Sequence, residues 1–155
     1  MNYMLRTKLK DSLKEAMKSK NKRKTSTLRL ILATLKDRDI AGRDKGSEDG
    51  INDEEILQML TTMVRQRRES NKAYEEGGRI DLATSEKEEI EIISEYLPKQ
   101  FGEVETKKAV EETIAEIGAE GLKDMGKTMG ALKAKYAGRM DFSKANAFVK
   151  ATLSA

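Results

Sequence analysis

Apolar residues recur along the chain at intervals of three and four rather than two, a pattern that predicts helices throughout and no strands. Leu5, Leu9, Leu13, Ala16 and Met17 form a first stripe. Leu28, Ile31, Leu32 and Leu35 form a second after the connector KSKNKRK, with Thr25 or Ser26 placed to cap that helix. The segment AGRDKGSEDGIND sets Gly42, Gly46 and Gly50 among charges and reads as a mobile loop. Asn52 followed three residues later by Glu55 has the form of a capping box and predicts the start of a third helix.

Helical register then picks out two charges in unusual places. At about 100° per residue, Ile56, Leu60, Met63 and Tyr74 share one face with Arg67 and Ser70. Beyond the turn signal Gly77-Gly78, Leu82, Ile90, Ile93, Tyr96 and Leu97 share a face with Glu86 and Glu89. Antiparallel packing across so short a turn pairs positions whose numbers add to about 156, which sets Arg67 opposite Glu89 and Met63 opposite Ile93. The expected outcome is an Arg67–Glu89 ion pair inside the hairpin, structural rather than chemical in role, with Glu86 near Ser70 or Asn71.

Pro98, the one proline, ends the fourth helix, because the residue before a proline avoids the helical region. Past it, Val110, Ile114 and Ile117 mark a fifth helix closed by Gly118, and Met125, Met129, Leu132 and Tyr136 a sixth. Asp141 or Ser143 caps a seventh carrying Phe142, Phe148, Val149 and Leu153. The fold class is therefore all-α, with an N-terminal four-helix domain over 1–97 and a C-terminal three-helix bundle over 98–155.

Composition narrows the chemistry. The 155 residues include no His, Cys or Trp, which removes imidazole and thiolate catalysis, zinc sites of Cys/His type and disulfides. No cofactor and no metal are expected, and no catalytic residue is nominated. No run approaches the ~20 apolar residues of a membrane span, so no membrane association is expected. The first twenty residues are basic and poor in acids like an organelle-targeting segment, but their apolar positions are needed by the fold, and the expected location is cytoplasmic.

Net charge is only +3, yet it is unevenly spread. Residues 1–45 hold 14 Lys/Arg against 5 Asp/Glu, residues 73–96 hold 2 against 8, and residues 121–155 hold 7 against 2. Lys10, Lys14 and Lys18 repeat along the first helix opposite Leu5 and Leu9, and Lys20, Lys22, Arg23 and Lys24 continue the ridge. In the last third, Lys123, Lys127, Lys133, Lys135, Arg139, Lys144 and Lys150 are nearly uncompensated, beside a flank thinned by Gly126 and Gly130. Two readings stand for each group: phosphate contacts, or a solvated face and tight helix packing. With aromatics at 5%, base stacking is not indicated, and any RNA contact would be to backbone and shape. The acids Glu88, Glu91 and Glu95 project from the apolar stripe and read as a solvated face.

The ordered set LRL at 28–30, RQRRES at 65–70, YLPKQ at 96–100, MGKTMGALKAKYAGRMD at 125–141 and VKATL at 149–153 resembles the YqeY family, over almost the whole chain. The C-terminal part of that family is similar to the tail domain of GatB, a subunit of the glutamine-dependent aspartyl/glutamyl-tRNA amidotransferase. Thr128 stands where that pattern has an aliphatic residue, and Met140 where it has a small one. The resemblance implies a GatB-tail-like bundle after Pro98 and a tRNA-binding accessory role without catalysis of its own. It also implies an alternative, a component of tRNA amidation, a carbon-nitrogen ligase reaction with glutamine as amide donor, working with amidotransferase subunits. A third reading, a protein-interaction adaptor, stands beside these two. A monomer is expected.

Overall fold

The computed structural model describes residues 4–46 and 49–155, and among them every regular element is helical. Seven α-helices follow one another: α1 Met4–Lys18, α2 Lys22–Arg43, α3 Asp53–Glu76, α4 Ile80–Ser94, α5 Glu103–Ile117, α6 Met125–Tyr136 and α7 Phe142–Leu153. A short 3₁₀ turn, Leu122–Asp124, precedes α6. The chain forms two compact units, residues 1–98 and 99–155.

The first unit closes around Leu9, Leu28, Ile31, Leu35, Ile56, Met59, Leu60 and Ile93, all fully buried or nearly so. Leu5 and Leu13 pack against this cluster, so α1 is part of the core. Met17 departs from the expected stripe and is half exposed, because α1 ends one residue later.

The turn from α1 to α2 is shorter than the connector suggests. Ala16 O accepts from Asn21 N at 3.0 Å and Glu15 O from Ser19 N at 2.9 Å, which places Lys20 in the left-handed region at φ 59°. Glycine normally holds such a helix-ending position. Asn21, not Thr25 or Ser26, caps α2: its side chain accepts from Lys24 N at 3.1 Å. Lys22, Arg23 and Lys24 are therefore helical, and α2 is a turn longer at its start than the apolar stripe alone implies. It is longer at its end too, running through Gly42 to Arg43. The remainder of the glycine-containing loop includes Ser47 and Glu48, which lie outside the described residues.

Gly50, at φ 94°, is required by more than its backbone angle. A Cβ there would lie 2.8 Å from both Arg6 Nη2 and Asp39 Oδ1. The reciprocal capping box at Asn52 and Glu55 then starts α3. Gly78, at φ 75°, turns the chain into α4, and Tyr74 O accepts from Arg79 N at 2.8 Å.

The second unit closes around Val110, Leu132, Met140, Ala145 and Val149, with Phe101, Ile114, Tyr136 and Phe142 packed against them. Gly118 ends α5 at φ 66°. Asp141 caps α7 by accepting from Ser143 N and Lys144 N. The segment before α5 is tied down by Phe101 N donating to Arg139 O at 2.7 Å and by the Gln100 side chain donating to Gly138 O. Thr128 is fully buried, and its hydroxyl donates to Asp124 O at 2.9 Å, so a polar residue sits in the core with its hydrogen bond satisfied one turn back. Met140 is fully buried as well.

Candidate nucleic-acid interface

The cationic side chains of the second unit fall into two groups once α6 is in place. Burial of Thr128 and Leu132 turns Gly126, Lys127, Gly130 and Lys133 outward, and all four are exposed. A Cβ added at Gly126 or Gly130 would meet nothing within 4 Å, so these glycines serve no close helix contact. The result is a strip of accessible backbone with a lysine on either side. Lys123 is exposed on the 3₁₀ turn that leads into α6, and Lys144 and Lys150 are exposed on α7.

Lys135 and Arg139 do not match the expectation of uncompensated charge. Lys135 Nζ lies 2.5 Å from Glu116 Oε2 of α5, and this partner raises the lysine pKa from its ordinary value. The Arg139 guanidinium lies 4.9 Å from the Phe101 ring centroid, and its Nε is buried. It is half-buried in its own unit, part of the packing around Phe101. One acid tempers the α6 strip: Asp124 accepts from Glu120 N at 2.9 Å, which, helped by the nearby Lys123 and Lys127, holds its carboxyl below the usual range.

In the first unit Lys10, Lys14 and Lys18 are exposed along α1. The ridge they begin is broken at Arg23 and Lys24. Arg23 Nε is 3.0 Å from Glu88 Oε2, and Lys24 Nζ is 3.0 Å from Glu95 Oε2, the latter raising the lysine pKa. Glu88 and Glu95 are thus engaged by α2 rather than simply solvated. The reason is the early start of α2, which carries its basic first turn alongside α4.

Two further ion pairs lie within the helical framework. Arg67 Nε donates to Glu89 Oε2 at 3.1 Å and Arg67 Nη1 to Met63 O at 3.2 Å, with side-chain exposures of 12% for the arginine and 22% for the glutamate. Beside them, Asn71 Nδ2 donates to Ala83 O at 2.7 Å. Burial, with the Glu89 charge adding to it, pushes the Glu86 carboxyl above the usual range, against the pull of Arg67. The second pair, Arg6 with Asp39, joins α1 to α2 and was not anticipated from the sequence. A usable signal existed: Asp39 continues the Leu28, Ile31, Leu35 stripe, just as Arg67 continues the stripe of α3.

Among the described residues no helix is long and apolar enough to cross a membrane. Comparison with known proteins finds relatives in yeasts. The chain is 39% identical over 89 residues to "Altered inheritance of mitochondria protein 41, mitochondrial" of Candida glabrata, covering 57% of this chain and 47% of that protein. It is 38% identical over 93 residues to the protein of the same name in Clavispora lusitaniae, covering 60% and 51%. It is 27% identical over 104 residues to an uncharacterized protein of Schizosaccharomyces pombe, covering 67% and 77%. The chain thus spans about half the length of the first two relatives. Their names place them in mitochondria, which overturns the cytoplasmic expectation. That expectation rested on the need for α1 in the fold, which does not determine the compartment. A family model described as Yqey-like protein matches residues 6–153, so the chain belongs to the Yqey-like family.

Proposed function

We propose that this protein is a non-catalytic accessory that binds structured RNA, with tRNA as its class of partner, through the outward face of α6. The observation that carries this reading is the open flank at Gly126 and Gly130 between the exposed Lys127 and Lys133. A bare helix backbone lets a phosphate chain approach, and lysines placed on either side neutralise it without selecting a base. Lys123 and Lys144 extend the cationic set, whereas Lys135 and Arg139 contribute less because Glu116 and Phe101 already engage them. The choice of tRNA draws on the resemblance of this unit to the GatB tail. Lys10, Lys14 and Lys18 of α1 offer the first unit a separate set of phosphate contacts. The mitochondrial setting in the relatives' names is the compartment carried into this reading.

Binding of nuclease-treated protein to total tRNA across a salt series, with a duplex DNA control, tests the proposal. Affinity that prefers tRNA, falls steeply with salt and drops on reversing Lys127 and Lys133 to Glu supports it. Affinity unchanged by that double reversal in a protein that keeps its helical content rejects it.

A further inference from the structure

The basic residues around the α1–α2 turn are divided by the fold. Arg23 and Lys24 face α4 and are held by Glu88 and Glu95. Lys20, Lys22 and Arg29 face elsewhere, and line a surface cavity of about 550 Å³ together with Met17, Thr25 and Ser26. That volume lies in the range of small-ligand sites, roughly 300 to 1,000 Å³. Among the described residues the lining contains three cations and no carboxylate.

Among the described residues, Lys20, Lys22 and Arg29 form no ion pair, and neither the Thr25 nor the Ser26 hydroxyl has a hydrogen-bond partner. Lys22, Thr25, Ser26 and Arg29 fall within about 100° of one another around α2, so one helix face presents two cations and two hydroxyls together. Lys20 adds a third cation from the turn, at the cost of a left-handed backbone that favours glycine. Met17 supplies the apolar part of the lining, half exposed despite continuing an otherwise buried stripe. A thioether beside such donors offers an adaptable, polarizable contact for a flat ring.

We propose that this cavity binds a phosphorylated nucleoside, with Lys20, Lys22 and Arg29 on the phosphate, the Thr25 and Ser26 hydroxyls donating to phosphate or ribose oxygens, and Met17 against the base. The same chemistry is offered by a free mononucleotide and by a nucleotide within an RNA chain. The site belongs wholly to the first unit, and its failure or success is separate from that of the α6 reading.

Backbone amide NMR on the full chain tests it, with adenosine 5′-monophosphate, adenosine, and a short single-stranded RNA lacking a terminal phosphate as probes. Saturable shifts confined to the amides of residues 17–29 are expected with the mononucleotide or the RNA, and none with adenosine. Response to the mononucleotide assigns the free ligand, and response to RNA alone assigns the chain-borne one. Lys20→Gly removes a cation while relieving the left-handed strain, so it keeps the fold and is expected to weaken binding about fivefold; Arg29→Ala is expected to weaken it about tenfold. Arg23→Ala, which removes a cation outside the cavity, should leave affinity within about twofold. Absence of shifts at residues 17–29 with both phosphate-bearing probes overturns the proposal. So does equal affinity in the Lys20→Gly and Arg29→Ala proteins.

Discussion

Arg6 grips Asp39 with both ends of its guanidinium, Nη1 to Oδ2 at 2.6 Å and Nη2 to Oδ1 at 2.9 Å, and so locks α1 to the far end of α2. The same two residues hold the chain that returns to α3. Arg6 Nη2 also donates to Ile51 O at 3.0 Å, and Ile51 N donates to Asp39 Oδ1 at 2.9 Å. Two helices and a loop therefore meet at one carboxylate.

This arrangement predicts an acid-sensitive contribution to stability. The Arg6 hydrogen bonds, with smaller help from the Ile51 amide, hold the Asp39 carboxyl below its ordinary value against the opposing effect of burial. A depressed folded pKa stabilises the native state above the unfolded value of about 3.9, and that stability is lost as pH falls through the folded value. Asp39→Asn is expected to cost about 1.5 to 3 kcal/mol at pH 7 by urea denaturation. The gap from the parent protein should narrow below about pH 4. A constant gap across the acid range would assign the loss to packing instead of charge.

Arg67 and Glu89 predict a different pattern, in which the partners matter more singly than together. Removing the arginine leaves a carboxylate with 22% exposure beside Glu86, without its counter-charge. Arg67→Ala is expected to lose about 2 to 4 kcal/mol, whereas the double substitution Arg67→Met with Glu89→Leu should recover most of it, because an apolar pair needs no desolvation of ions. A double variant as unstable as the single one would show that the Arg67 bond to Met63 O, not the ion pair, dominates.

These two pairs mark what was legible in the chain. Arg67 and Glu89 sit on apolar stripes joined by a turn that Gly77-Gly78 announces, so register alone brings them opposite. Arg6 and Asp39 sit on apolar stripes as well, and their numbers fit an antiparallel α1–α2 register adding to about 45. They were hidden because KSKNKRK reads as a basic linker, whereas a left-handed Lys20 and the Asn21 cap compress it to a tight turn. The same compression decided the fate of the cationic ridge, since it carried Arg23 and Lys24 to Glu88 and Glu95. On α6 the outward position of Lys127 and Lys133 follows from its stripe, but the engagement of Lys135 by Glu116 depends on how α5 packs, which no local pattern records.

Glu86 is the reverse of Asp39. Burial, with repulsion from Glu89, raises its folded pKa, so the folded state holds a proton more tightly than the unfolded one. Stability then falls as pH rises from the unfolded value of about 4.3 through the raised folded value, and the penalty stays in full above it. Glu86→Gln is therefore expected to stabilise the protein at pH 7. Solvent screening at this partly buried position limits the gain to about 0.5 kcal/mol. Thermal denaturation at pH 7 and below pH 4 checks the sign: the gain should be present in the first and absent in the second.

Gly126 and Gly130 separate folding from binding in one experiment. Both lie inside α6, where glycine is about 0.5 to 1 kcal/mol less favourable than alanine, and neither would bring a new Cβ within 4 Å of anything. Replacing both with alanine should therefore raise stability by about 1 to 2 kcal/mol. If the open flank admits an RNA backbone, the same double variant should bind tRNA more weakly, by about threefold to tenfold, with Lys127 and Lys133 untouched, because two methyl groups hold the phosphates away from the helix. Replacement by glutamine at both positions should weaken it further through bulk without adding charge. A more stable protein with unchanged tRNA affinity would mean that the lysines act at a distance from the backbone, and that the bare flank has no part in recognition.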